Sequence, residues 1–572
     1  VKKDMAAPET SEGPGGRTGS GKVGRTFLPG CLGVLLAGGV LALGATPATA
    51  ADSATECAKL TGMAIPASAI ALPTGGATVL SAQFVQTGET GGPGDSYCRV
   101  LGRITPDAAT ATTGTPEINF QLNLPARWNG KALQMGGGGY NGTVVTGTTS
   151  VSFTRSTPPL YQGYATYGSD SGHVGLSTSG DFGANAGALR NFAYEHLKKT
   201  HDAAFALIEA HYGRRPDRSY FGGASTGGRE GMTVVQRFPA DYDGVIANAP
   251  AIYFWGMRLI GVRIGQAAYG PSHGYVSTAK FDLLREAVLQ ACDAQDGAAD
   301  GMVSDVASCR GRHDEILASL RCKPGANDTA RCLTEPEIGT VRAIEDDLVL
   351  PYPLAYGVTR YPGYTLLQGA DFARGLGMGS TAARAPVPNS AEHGYLYAQG
   401  DAYLRYFVTG DMSTDALEFD LAHPGRYQDR LVELSGLIGA MNPDTTAFQA
   451  RGGKLIVLQG LADDAVSSNG TEAYYRDQVA RYGQEKVDAF FRLYMVPGFG
   501  HGRGTFVPSW DAVGALDEWV TKGTTPGVLV GRDVNAATAG RARPLCPYPG
   551  YPRRQGEGDM NAAGSFACVS SQ

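Results

Sequence analysis

The sequence predicts an α/β fold interrupted by one large insertion, and three observations carry that expectation. Strand-like and helix-like runs alternate up to about residue 251 and again from about residue 446, the pattern of a sheet flanked by helices. A Gly-x-Ser-x-Gly pentapeptide, Gly223-Ala224-Ser225-Thr226-Gly227, stands between a strand-like and a helix-like run. Asp463 and then His501 follow it at the ends of two later strand-like runs. Ser, Asp, His is the chain order of α/β-hydrolases, so the expected architecture is an α/β-hydrolase fold with a large inserted lid domain.

Taken in chain order, the first element is a targeting segment. Arg17, Lys22 and Arg25 precede an apolar run over residues 27–43, and Ala48-Thr49-Ala50 supplies an A-x-A cleavage pattern. Residues 1–50 are therefore expected to be a signal peptide, cleaved near Ala50, on a secreted protein. A membrane anchor is the competing reading, but the run is Gly-interrupted and ends in small residues, and no later segment is apolar for long enough to span a bilayer. The formal net charge of −6, with 18% charged residues, offers no basic surface for nucleic acid. The 81 glycines cluster as turns rather than as a disordered tract, because 42% of the chain is apolar.

Cysteine usage agrees with export. Cys31 would leave with the signal, and eight remain: Cys57, Cys98, Cys292, Cys309, Cys322, Cys332, Cys546 and Cys568. An even number outside the cell implies disulfides. Pairing of sequence neighbours (57 with 98, 292 with 309, 322 with 332, 546 with 568) is the simplest of many connectivities, and spacing alone does not select it.

The catalytic domain is expected over 51–251 and 446–572. Strands are predicted at 117–124 and 131–135, a helix near 188–212, a strand at 218–221, a helix over 227–238 and a buried strand at 245–249. Residues 252–445 show only scattered helical periodicity and are rich in aromatics, Gly and Pro. This block is assigned as the lid, inserted where it caps the active site. Order returns with strands at 454–458 and 490–496 and helices near 470–482 and 509–521.

Chemistry concentrates at the strand ends. Glycines two residues either side of Ser225 relieve a sharp turn that lifts its hydroxyl above the sheet edge. The Thr226 N–H, opening the next helix, then points where an oxyanion forms. A second oxyanion donor is expected from the run Gly136 to Gly139, where no side chain keeps a substrate away; Gly138 and Gly139 are the candidates. His501 would act as general base and Asp463 would orient it, with Asp464 as rival for the acid. His173 precedes Ser225, breaks the expected order and reads as structural.

These residues resemble the tannase and feruloyl esterase family, which also includes the mono(2-hydroxyethyl) terephthalate hydrolase. The resemblance covers nearly all of the chain after the signal. It rests on Trp128-Asn129-Gly130 leading into Gly136 to Gly142, on the segment Tyr220 to Arg229, and on Gly452-Gly453-Lys454 through Asp463, which favours Asp463 over Asp464. The family usually joins a cysteine before the nucleophile to one after the catalytic histidine; here Ala224 and Gly502 stand there instead. Both halves are missing together, so the triad is expected to survive with a different brace. The other eight cysteines resemble the family's remaining bridges, which strengthens the neighbour pairing.

Within the insertion, Cys292 to Met302 is similar to the family's calcium loop. Three carboxylates among glycines also suit a hard cation taking 6–8 oxygens. Asp293, Asp296 and Asp300 are assigned by side chain, and Ala298 and Met302 by backbone oxygen, to a structural calcium; a solvated acidic loop is the alternative. No organic cofactor is implied.

What the resemblance implies is a serine carboxylesterase acting on small aromatic esters or feruloylated plant cell-wall carbohydrate, with gallate esters and terephthalate monoesters as alternatives. A lid arginine (Arg360, Arg374, Arg384 or Arg405) could meet a substrate carboxylate or phenol, and surface solubility explains each equally well. A different class, a catalytically silent protein that binds phenolics or carbohydrate, is disfavoured because a binding module has no need of Ser, Asp and His together. A peptidase or lipase would keep the triad, but no long apolar lid helix of the lipase kind is evident.

Overall fold

The central sheet runs β1 (Ala64–Ile65), β2 (Ala77–Gln86), β3 (Ser96–Ile104), β4 (Ile118–Pro125), β5 (Lys131–Met135), β6 (Ala165–Ser169), β7 (Arg218–Ala224), β8 (Gly244–Asn248), β9 (Lys454–Gly460) and β10 (Phe491–Val496). Their spatial order is β1-β2-β3-β4-β6-β5-β7-β8-β9-β10 in this computed structural model, which describes residues 50–570 apart from 89–91, 93 and 110. The expected signal segment, with Cys31, lies outside the described residues. The first four strands and the β4–β6 pair are antiparallel; from β6 through β10 every neighbouring pair is parallel.

The parallel half reads as continuous apolar sequence because both of its faces are covered. Val245 and Ala247 of β8, with Leu455 and Val457 of β9, face a core shared with Met232, Val234 and Val235 of helix α2 (Thr226–Arg237). Their alternates Ile246, Ile456 and Leu458 face the opposite core, closed by Val513, Leu516 and Trp519 of helix α6 (Ala512–Lys522). Helix α1 (His196–Tyr212) covers the antiparallel half with Ala203, Ala204, Leu207 and Ile208 against Val100, Phe120 and Leu122. The single helix expected near 188–212 is interrupted: Ala186–Arg190 passes through a π turn at Asn191–Glu195 before α1 begins.

Between β8 and β9 the chain adds no strand to the central sheet, as the insertion reading requires. It is more helical than its sequence pattern suggests. Helix α3 (Phe254–Tyr269) is buried on nearly every side, so it lacks the amphipathic period that marks a surface helix. Its glycines mark close packing rather than a loop: a Cβ at Gly261 would lie 2.0 Å from the Leu396 carbonyl oxygen, and one at Gly265 2.1 Å from the Tyr397 ring. Helix α4 (Thr278–Cys292) leads into the acidic loop, and α5 (Ser468–Tyr482) follows β9. Insertion and sheet pack as one compact unit.

All four neighbour disulfides form: Cys57–Cys98, Cys292–Cys309, Cys322–Cys332 and Cys546–Cys568. No helix among the described residues is long and apolar enough to cross a membrane.

Candidate active site

Parallel pairing brings the carboxyl ends of β7, β8, β9 and β10 to one edge of the sheet, and the three expected residues all follow those ends. The Ser225 N–H donates to the Asn248 carbonyl (3.0 Å), Ala249 N–H to Leu458 (2.7 Å), Leu461 N–H to Val496 (2.9 Å) and Ala462 N–H to Phe499 (2.9 Å). The loops bearing Ser225, Asp463 and His501 are thus stitched side by side.

Ser225 sits at φ 60°, ψ −120°, a conformation that bulky side chains rarely adopt and that nucleophile turns exploit. The turn closes only because glycines flank it. A Cβ at Gly223 would meet the Gly227 carbonyl oxygen at 2.6 Å, and one at Gly227 would meet that of Gly137 at 2.7 Å. Thr226 opens α2, and its hydroxyl donates to the Gly139 carbonyl, tying the helix N-terminus to the glycine loop.

His501 Nδ1 lies 3.1 and 3.0 Å from the two carboxylate oxygens of Asp463, which leaves Nε2 for proton transfer. Asp463 is fully buried, accepts the N–H groups of Ala465 and Val466 at 2.8 Å each, and takes the Gln459 side-chain amide at 3.2 Å. Burial pulls the His501 pKa down, yet the charge and hydrogen bond of Asp463 outweigh it, and the net displacement is upward from 6.5. Asp464 turns the other way, to the Arg503 guanidinium and the Leu376 N–H (3.1 Å). Burial pushes its carboxyl up to about 7 despite Arg503. The geometry therefore separates two adjacent carboxylates, turning Asp463 to His501 and Asp464 to Arg503.

In the glycine loop, three of the four residues are glycine for packing reasons. A Cβ would strike Glu230 Oε2 at Gly136 (2.6 Å), Asn141 Oδ1 at Gly137 (2.5 Å) and the Ser177 carbonyl at Gly139 (2.3 Å). Only at Gly138 would it enter open space. Among the described residues no protein acceptor meets the Gly138 or Gly139 N–H.

A residue that the motifs did not single out supports this loop. Glu230, on α2 and fully buried, accepts from the Gly137 N–H (3.1 Å) and the Asn141 amide (2.6 Å), with His196 Nε2 at 3.4 Å. Burial raises its pKa, but His196, Arg229 and Asn141 together bring it below the ordinary value. A glutamate one turn into the helix that follows Ser225, facing a glycine run, was the available signal. Glu230→Ala strands a buried network, and removing one member of such a pair costs about 3–5 kcal/mol. Urea unfolding is expected to register that loss, with kcat falling alongside it.

His173 is buried and stacked on Phe182 (3.8 Å between centroids), with burial pushing its pKa down to about 4, so it stands as a core residue. At the positions of the absent bridge, Ala224 is buried, and a Cβ at Gly502 would lie 2.7 Å from the Phe153 ring. The insertion holds both walls: Thr365 Oγ1 donates to the Leu461 carbonyl, Tyr364 Oη to that of Ala465 and Tyr140 Oη to that of Gln399. Each of the four arginines named as candidates in the insertion is paired with a carboxylate: Arg360 with Asp347, Arg374 with Asp282, Arg384 with Asp415 and Arg405 with Asp401.

In the acidic loop, Asp293 Oδ1 accepts the N–H groups of Asp300, Gly301 and Met302, and Asp296 Oδ1 that of Ala298. Asp300 pairs with Arg543 at 2.6 Å. No three acidic, His or Cys side chains among the described residues converge closely enough to hold a metal unaided. The donor set still fits a hard cation in one respect. Ala298 and Met302 are buried, and their carbonyls accept no hydrogen bond from the described residues. Burial raises the Asp293 and Asp296 carboxyls, Asp296 to about 6, and the charge of Asp300 adds to both.

Fold and strand-edge geometry are those of an α/β-hydrolase, and comparison with known proteins narrows the class. The family model described as tannase and feruloyl esterase matches residues 98–569, and the chain belongs to that family. It is a carboxylic ester hydrolase. An uncharacterised esterase of Agrobacterium fabrum is 38% identical over 91% of this chain and 94% of its own. The mono(2-hydroxyethyl) terephthalate hydrolase of Piscinibacter sakaiensis is 31% identical over 83% of this chain and 85% of its own. Among solved structures, feruloyl esterase B from Aspergillus oryzae superposes with a TM-score of 0.71 at 24% identity, covering 90% of this chain and 100% of that one, a likeness of fold.

Proposed function

We propose that the protein is a secreted serine esterase that hydrolyses esters of hydroxycinnamic acids, such as ferulate carried on plant cell-wall sugars. The observation that carries this reading is the hydrogen-bonded Asp463–His501 pair at the carboxyl edge of the parallel strands, the edge that also presents Ser225. Ser225 Oγ attacks the ester carbonyl carbon and gives its proton to His501 Nε2. The oxyanion rests on the N–H of Thr226 and on that of Gly138 or Gly139, neither of which meets a protein acceptor among the described residues. The alcohol leaves with the proton from His501. Water then adds to the acyl carbon as His501 takes its proton, and His501 returns that proton to Ser225 Oγ as the acyl–oxygen bond breaks and the acid departs. Asp463 fixes the imidazole tautomer throughout.

Relatives named as probable feruloyl esterases, among them one of Arthroderma benhamiae at 30% identity, favour the hydroxycinnamate branch. Arg360, Arg374, Arg384 and Arg405 each pair with a carboxylate, which leaves none of these four free to meet a charged acyl group. One observation favours a second reading, a terephthalate-type monoester. Arg258 is buried over the rings of Tyr140 (4.5 Å) and Phe254 (4.4 Å), and no carboxylate pairs with it among the described residues. Turnover of methyl ferulate, methyl gallate and mono(2-hydroxyethyl) terephthalate, side by side, decides between them. Ferulate preference supports the proposal, terephthalate preference the second reading, and failure on all three contradicts both.

Secretion is supported by the four disulfides and the leader pattern. Calcium belongs to the same reading, held by Asp293, Asp296, Asp300 and the carbonyls of Ala298 and Met302 in a structural role. A ligand that binds only the folded state stabilises it by about 2.7 kcal/mol at a hundred times its Kd. Chelation is therefore expected to lower the melting midpoint, and added calcium to restore it, in the wild type and not in Asp296→Ala. A midpoint indifferent to chelator and metal removes calcium from the account.

A further inference from the structure

Residues 151–155 form a short loop pressed against the site in an unfavourable backbone conformation. Phe153 sits at φ 69° and Arg155 at φ 52°, a region that bulky side chains rarely occupy. The loop is fastened at every residue. The Asn248 amide donates to the Ser152 carbonyl (2.7 Å), and Trp510 Nε1 to that of Phe153 (3.3 Å). Trp510 N–H donates to Thr154 (2.9 Å) and Ser509 Oγ to the Arg155 carbonyl (2.9 Å). The Thr154 hydroxyl donates back to Val151 (2.8 Å).

What this fastening presents is one ring. Phe153 stands edge-to-face on His501, at 5.1 Å between centroids and 88° between planes, and likewise on Phe499 at 5.8 Å and 83°. It fills the space beside Gly502, where no side chain intervenes. The same loop reaches the nucleophile, because the Asn248 that donates to Ser152 also accepts the Ser225 N–H. Arg155 closes the circuit by donating to the Gly502 carbonyl (3.3 Å).

We propose that Phe153 is a positioning residue: its strained, fully fastened loop registers the His501 imidazole against Ser225. The inference rests on the reading of His501 as general base. Phe153 shields one side of the ring; Asp463, Asp464 and Arg503 supply the charges that face it, and Arg155 lies on the adjoining carbonyl. Because burial favours neutral imidazole, removing the shield raises the pH at which His501 loses its proton.

The test compares wild type, Phe153→Ala and Phe153→Leu by kcat, KM and the acid limb of the kcat/KM profile, with thermal midpoints recorded for all three. Phe153→Ala is expected to lower kcat tenfold or more with KM little changed, and to move the acid limb to higher pH. Phe153→Leu, which keeps apolar cover without the aromatic edge, is expected to return the limb toward the wild-type position while kcat recovers only in part. A folded Phe153→Ala enzyme with wild-type kcat and an unmoved limb overturns the proposal; so does a loss in kcat with the limb unmoved in both variants. An inactive wild type would instead strike the esterase reading itself, so the two failures are distinct.

Discussion

Ser225→Ala is expected to lower kcat on an aromatic ester by about ten-thousand-fold to a million-fold while leaving the melting midpoint close to wild type. The magnitude follows from losing the only covalent path, since residual rate comes from binding and the oxyanion donors alone. Stability should hold because the strain at φ 60° belongs to the backbone, which the turn glycines and the Asn248 hydrogen bond impose whatever side chain is present. Steady-state kinetics beside a thermal melt checks both halves. A loss below a hundredfold would mean that another group carries the acyl transfer.

The second large effect separates neighbours. Asp463→Asn is expected to reduce kcat by about 10^4-fold, because an amide presents the wrong hydrogen-bonding group to Nδ1 and no longer stabilises the imidazolium. Asp464→Asn, whose carboxylate meets Arg503 and the Leu376 N–H, is expected to keep most of the activity. The two variants differ by one position and replace the same group, so their ratio isolates orientation from general disturbance of the loop. Equal losses would mean that the two share the acid's role, and a larger loss in Asp464→Asn would give it to Asp464.

Much of this site was legible in the sequence because its parts obey local rules. The glycines around Ser225 announce a turn that only they permit, and β8 and β9 announce themselves as unbroken apolar runs covered on two faces. Asp463 against Asp464 was not settled by the residues alone, since both adjoin the same strand end; the directions of their side chains appear only once Arg503 and Leu376 are in place. The antiparallel strands β2 and β3 went unread because their outward faces mix polar and apolar residues, with Leu80 and Leu101 exposed. Helix α3 was missed for the opposite reason: a helix buried all round, with Gly256, Gly261 and Gly265 at its contacts, has no polar face to set a period. Glu230 and Phe153 were invisible for a third reason. Their roles come from contacts distant in sequence, with Gly137 and Asn141 in one case and with His501 in the other.

The central claim, that Ser225 is a nucleophile activated by His501 and Asp463, is tested most directly by covalent labelling. The native protein would be treated with a serine-reactive fluorophosphonate, weighed intact and mapped by peptide. One adduct on Ser225, formed quickly by the wild type and slowly by His501→Ala, is the predicted result. An esterase that stays active without an adduct, or carries it on another serine, would contradict the account.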